Sequence, residues 1–185
     1  MADSSEHLNG ITMPSIHASE LPADALLGQY RQAGAFADCY SIDVDRPISQ
    51  AAYVEAFYTS AVFKVERQLL AWFVARPSTD AEARALAAGQ CSTFSAWTVE
   101  GQSAQQLLLR DLHGRTRSWL MSAPAEVNGA PGTRLYFGSA VVPVLDRRTG
   151  QATMGFVFRA LLGFHKLYSR VLLRAAVARL SATGP

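Results

Sequence analysis

Several things are scarce in this chain, and each scarcity narrows the field. Two cysteines, Cys39 and Cys91, stand far apart with no C-x-x-C spacing. A disulfide framework or thiolate zinc site is therefore not expected, and reduced thiols in a cytoplasm are the simpler reading. The four histidines, His7, His17, His113 and His165, are scattered, so no metal cluster and no cofactor is expected. Charge is sparse as well: 17 basic and 15 acidic residues leave +2, too small a surplus to imply nucleic acid. The longest apolar stretch, Leu69 to Ala75, falls far short of the roughly 20 residues that span a bilayer, so stable membrane insertion is not expected. The N-terminus carries Asp3 and Glu6 with no basic or apolar region of a signal peptide. Signatures of nucleophilic catalysis are lacking too, since Gly138-Ser139 sits inside a strand pattern and no G-x-S-x-G or phosphate-cradling loop occurs.

What is present is a greasy chain of 185 residues, 49% apolar and long enough to bury a core. Residues 1–20 are small and polar and read as a flexible leader, leaving 21–185 as one domain. Acidic residues stop at Asp146, and seven basic residues follow it, which puts a basic patch at the C-terminal end. A short helix is expected after Pro22, ending near Gly34. Cys39 to Val44 alternates as a first strand. After Asp45-Arg46-Pro47, Ser49 can cap a helix reaching about Ala75 that is apolar nearly all round, and such a face must be covered or form an interface, as in a homodimer. Thr79-Asp80-Ala81-Glu82 has capping-box spacing, and Gly89 ends the short helix that it starts.

The period then changes to two. Thr93–Glu100, Gln105–Asp111, Thr116–Ser122 and Thr133–Val142 read as strands, with turns at Gly101, His113-Gly114 and Asn128 to Gly132. No helical crossover separates them, so the sheet is expected to be antiparallel. A loop at 146–150 leads to a last helix over 155–181. The expected fold is α+β: a curved antiparallel sheet of about five strands wrapped on a long C-terminal helix, with two helices after the first strand.

On that last helix Arg159, Lys166, Arg170 and Arg174 share a stripe, and Leu161, Phe164, Tyr168, Leu172 and Ala175 collect opposite, with His165 at the edge. Tyr168 points inward and its hydroxyl needs a partner. Either Tyr168 and His165 are satisfied within a core, or they line a cavity and bond a ligand. In the His113-Gly114 hairpin a two-residue loop places Arg110 opposite Arg117 and Leu108 opposite Trp119. Facing arginines call for an anion between them. A three-residue loop pairs Asp111 with Arg115 instead, or the arginines lie on a wet face beside Glu100.

This element order over residues 38–181 resembles the helix-grip superfamily of START-like lipid-binding domains, birch-pollen-allergen proteins and polyketide cyclases. Helix-grip domains usually have six or seven strands, and five are counted here. Locally, Tyr53 to Ser60, Arg115 to Leu120, Gly132 to Pro143 and Phe164 to Arg170 resemble a bacterial domain family of unknown function. The resemblance implies a sheet–helix hydrophobic cavity for a small apolar or amphipathic molecule. Trp97, Arg110, Arg117, Trp119, Tyr136, His165 and Tyr168 are the candidate ligand-binding residues. The alternatives are a cyclase or dehydratase acting on a small carbonyl compound, with His165, Tyr168 and Arg117 as its catalytic groups, and a homodimeric module without ligand.

Overall fold

Period-two alternation sends neighbouring side chains to opposite faces of a sheet, and in this chain both faces are apolar enough to demand a cover. The computed structural model describes residues 15–65, 78–145, 152–153 and 156–182, with side-chain surroundings over 15–65, 78–143 and 167–182. The elements among them are β1 (His17–Ala18), α1 (Gly28–Gln32), β2 (Phe36–Val44), α2 (Gln50–Tyr58), α3 (described over 61–65) and α4 (Asp80–Ala87). Next come β3 (Thr93–Phe94), β4 (Trp97–Gln102), β5 (Gln106–Asp111), β6 (Thr116–Val127) and β7 (Ala130–Val141). A small ribbon of β8 (Val144–Leu145) and β9 (Ala152–Thr153) precedes α5 (Phe156–Ala182). The fold is α+β, with one antiparallel sheet in the order β1-β2-β7-β6-β5-β4-β3.

Seven strands form this sheet where five were expected. Both additions are two residues long, too short for a period to be read. The expected strand Thr93–Glu100 folds as a hairpin, with Phe94 opposite Trp97 and Ser95 in the left-handed region at φ 53°. β1 pairs His17 with Ser41 and Ala18 with Tyr40, so part of the segment read as a leader joins the sheet. The expected helix 49–75 also divides. Ser49 caps it as anticipated, accepting from Ala52 N, but α2 ends at Tyr58. There Thr59 Oγ1 donates to Glu55 O and Ser60 Oγ to Phe57 O, while Ser60 Oγ accepts from Phe63 N. Side chains that bond the local backbone in this way compete with helix continuation. The continuation toward Ala75 lies outside the described residues, as does the 146–150 loop.

The β6–β7 hairpin is the spine of the sheet. Its turn is Asn128-Gly129, both in the left-handed region (φ 54° and 78°), the conformation whose twist matches the flanking strands. Gly138 allows a close approach: a Cβ there would lie 2.9 Å from both Leu27 Cδ2 and Trp119 Cε3.

Strand parity then divides the core in two. One face carries Tyr40, Ile42, Leu107, Leu109, Leu120, Leu135 and Phe137, packed on α2, α4 and α5. The other carries Cys39, Leu108, Trp119, Met121 and Ala140, covered by residues 21–30 through Leu21, Ala25 and Leu27. Gln106 fastens that cover. Its side chain accepts from Leu26 N and Trp119 Nε1, both at 2.9 Å, and donates to Asp24 O at 3.1 Å. Tyr53, Val54, Ala56, Phe57 and Tyr58 of α2 are buried inside the chain itself, so the large apolar side chains of α2 are covered without a partner, and Ala51 and Ala52 face outward. Among the described residues no helix is long and apolar enough to cross a membrane.

Candidate functional site

The helix-covered side of the sheet is mostly filled. Rings of Phe57, Tyr58, Phe63, Phe94 and Phe137 pack with centroids 4.7 to 6.3 Å apart. Beyond this cluster, toward the β5–β6 turn, a cavity of about 180 Å³ remains between the ends of β6 and β7 and α5. Phe57, Trp97, Phe137, Tyr168 and Leu172 give it apolar walls, and Thr116, Ser118, Ser139 and Ser169 line it as well. Trp97 belongs to β4, on the same face as Val99, and Tyr168 comes from α5 one turn before Leu172. The small serines leave the space. Ser118 and Ser139 face each other across β6 and β7, at positions where a larger residue would reach α5.

Most polar groups around the cavity are engaged. Tyr58 Oη and Ser118 Oγ are 3.4 Å apart, and Ser139 Oγ donates to Asp38 Oδ1 at 2.7 Å. The exception is Trp97. Its indole Nε1 is buried and has no acceptor among the described residues. Leaving such a donor unpaired costs about 1–3 kcal/mol.

Arg117 also lines the cavity, but its charged end lies elsewhere. Alternation from Thr116 and Ser118 sends its side chain to the far face. There its Nε donates to Glu100 Oε2 at 2.7 Å and its Nη1 to Gly114 O at 2.7 Å, and the guanidinium sits 4.5 Å over the Tyr30 ring. Burial opposes the charge, yet hydrogen bonds to Glu100 and Tyr30 outweigh it and hold the Arg117 pKa above its ordinary value. Tyr30, which donates to Glu100 Oε1, has its own pKa raised by burial and by that carboxylate.

The hairpin has the register in which Arg110 faces Arg117 and Leu108 faces Trp119. Asp111 sets it, Oδ1 accepting from Arg115 N and Thr116 N at 2.7 and 2.9 Å. Arg117 is neutralised by the chain's own Glu100, and Arg110 is exposed to water. Trp119 and Tyr136 lie on the far face with ring centroids 6.1 Å apart. The structure therefore brings Trp97, Tyr168 and the Arg117 backbone to one cavity and places Arg110, Trp119 and Tyr136 elsewhere. His165 lies in α5, but its side chain is outside the described residues. Arg170 and Arg174 are exposed, and Arg170 lies 5.4 Å over the Tyr40 ring.

Sequence reasoning missed Phe137, Ser118, Ser139 and Ser169 as lining residues. A signal existed for the middle two, since both share parity with the core residues Leu120 and Phe137. Wider openings also occur among the described residues. One, of about 790 Å³, runs between the start of α2 and Ser122–Pro124, and its walls include Ala52, Ala104 and Ala123. Another, of about 530 Å³, lies at the β6–β7 turn between Pro124 and Pro131. A third, of about 340 Å³, lies beside Asp38, Arg31 and Arg170. Among the described residues no group of three or more His, Cys, Asp or Glu could hold a metal ion. No protein-family model matches the chain, and a comparison with curated proteins returns no match.

Proposed function

We propose that this chain is a helix-grip-like binding protein that holds a small, largely apolar molecule between its sheet and α5, without catalysing a reaction. The cavity walled by Phe57, Trp97, Phe137 and Tyr168 carries this reading. The seven-stranded antiparallel sheet with a long C-terminal helix packed on it supports the helix-grip comparison. Its free cysteines suit a reducing compartment such as the cytoplasm. At about 180 Å³ the cavity is smaller than typical ligand pockets of ~300–1,000 Å³. With ~30 Å³ per water in the liquid, the space corresponds to about six waters, or a molecule of roughly six to nine non-hydrogen atoms. The catalytic alternative loses one of its three groups at this site, because the Arg117 guanidinium is bound to Glu100 on the opposite face.

The test is thermal unfolding with a library of cyclic and aliphatic alcohols, ketones and acids of that size, beside native mass spectrometry of the purified protein. A ligand present at a hundred times its Kd adds about 2.7 kcal/mol, or about 5–10 °C in Tm for a chain of this length. Leu172→Phe fills the cavity from α5 and is expected to abolish the shift. A library without a single stabilising member, together with a ligand-free mass spectrum, overturns the proposal. An unchanged shift in Leu172→Phe removes the cavity as the place of binding.

A further inference from the structure

We infer that the β6–β7 hairpin carries open edges on which a second copy of this chain would pair, and that Pro124, Glu126 and Pro131 keep those edges shut. The hairpin outruns its neighbours. β6 and β7 pair without a break from Thr116 opposite Val141 to Val127 opposite Ala130. β5 follows β6 only as far as Met121, and β2 follows β7 only as far as Thr133. Residues 123–127 and 130–132 therefore project past the rest of the sheet, each strand with one side unpaired.

Along an antiparallel strand, successive backbone groups point alternately to the two sides. Two hydrogen bonds fix which way each residue points. Val142 N donates to Arg115 O, so odd-numbered residues of β6 and even-numbered residues of β7 face each other. Ser122 N donates to Gln105 O, so even-numbered residues of β6 face the β5 side. The register is continuous, and this parity reaches the turn. The outward positions are thus Pro124 and Glu126 on one edge and Pro131 on the other. Proline has no N–H to give. Among the described residues, Glu126 N–H is the sole outward backbone donor on the projecting strands. All three residues are exposed, and Glu126 lies opposite Pro131. An unpaired strand edge is a template for another chain, and proline and charge at its outward positions block that pairing. Packing does not ask for proline at exposed strand positions, where β-branched residues fit better.

The test combines Pro124→Thr, Glu126→Thr and Pro131→Thr in the full chain. Pro47→Thr is the control, because Pro47 is exposed but lies outside the strands. Sedimentation should give the triple variant about twice the wild-type mass at about 100 µM, with the control unchanged. In the wild-type chain Glu126 N–H should exchange at least about tenfold faster than Ala125 N–H, which is bonded within the hairpin. A triple variant that keeps the wild-type melting curve and the wild-type mass overturns the inference, as does an equal mass gain in Pro47→Thr. Should the triple variant fail to fold, the wild-type chain decides. Exchange at Glu126 as slow as at Ala125 means that the edge is already paired and overturns the inference, and fast exchange there upholds it.

Discussion

Gln106→Leu is the substitution for which the structure gives the most definite expectation. Leucine nearly matches glutamine in volume, so little cavity forms and the change isolates hydrogen bonding. Three partners lose their bond: Trp119 Nε1 and Leu26 N, which donate to Oε1 at 2.9 Å, and Asp24 O, which accepts from Nε2 at 3.1 Å. Trp119 is wholly buried, so its donor cannot turn to water and carries the full penalty of about 1–3 kcal/mol. Leu26 N and Asp24 O belong to the covering segment and regain water if it lifts, so each loses nearer the net ~0.5–1.5 kcal/mol of an ordinary bond. The total is about 2–6 kcal/mol with its centre near 4, a large part of the ~5–15 kcal/mol that holds a domain folded. With a urea m-value of about 2 kcal/mol/M, the midpoint should fall by roughly 1–3 M. A double-mutant cycle with Trp119→Phe sharpens the test, because that change should be at least 1 kcal/mol less damaging once Gln106 is gone. A midpoint shift below about 0.5 M, or strictly additive losses, would refute the view that one glutamine fastens residues 24–26 to the sheet.

Three further outcomes follow from local geometry. Gly138→Ala puts a Cβ 2.9 Å from Leu27 Cδ2 and Trp119 Cε3, so it should destabilise by about 1–3 kcal/mol in urea melts, and an unchanged midpoint contradicts the close packing. Burial first, and the nearby Asp38 carboxylate second, push the Cys39 thiol up to about 12, leaving about one thiolate in ten thousand at pH 8. Half-buried Cys91 should then be the thiol that a disulfide reagent titrates promptly in native protein, and prompt reaction in Cys91→Ser would count against the burial of Cys39. Arg134 forks onto Asp43 at 2.6 and 2.8 Å, and that hydrogen bond holds the Asp43 pKa below its ordinary value. Stability from a lowered carboxyl is present above the unfolded pKa of about 3.9 and is lost as pH falls through the folded value. Both side chains are over a third exposed, so their coupling should be only about 0.5 kcal/mol at pH 7. It should shrink below pH 4; a coupling that grows in acid reverses the sign argument.

Much of the fold could be read from local chemistry. The capping box at Thr79 and Glu82 forms as its spacing implied, and Gly89 adopts φ 69° at the end of that helix. The strands from β4 to β7 were visible because their apolar residues alternate. Failures came where the deciding contact is distant or the element too short. Residues 21–30 show no clear period, and their partner Gln106 lies 80 residues beyond Leu26. The break at Thr59-Ser60 depends on hydroxyls whose hydrogen bonds were not weighed against a strong apolar pattern. At the site, parity correctly grouped Arg110 and Arg117 with Leu108 and Trp119 on one face. That α1 and its neighbours cover this face, while α5 covers the other, is a tertiary fact that alternation cannot carry.

That division gives the lining residues their meaning. On a sheet with one dry face, Trp97, Trp119, Tyr136 and Tyr168 would meet in a single interior, and each would be an equal candidate. With both faces dry they separate, and the two indoles serve as controls for one another. Residues 21–30 and Gln106 close the far face over Trp119, whose indole finds its acceptor in Gln106 Oε1. On the helix side the aromatic cluster stops short of the β5–β6 end, small serines stand where bulk would close the gap, and Trp97 Nε1 has no acceptor among the described residues. The gap and the buried donor are separate features, because Trp97 Nε1 is sealed from contact with water and so lies behind the cavity wall. A core that is merely loosely packed gives no ligand-dependent shift in Tm, whereas a guest site gives one that Leu172→Phe removes.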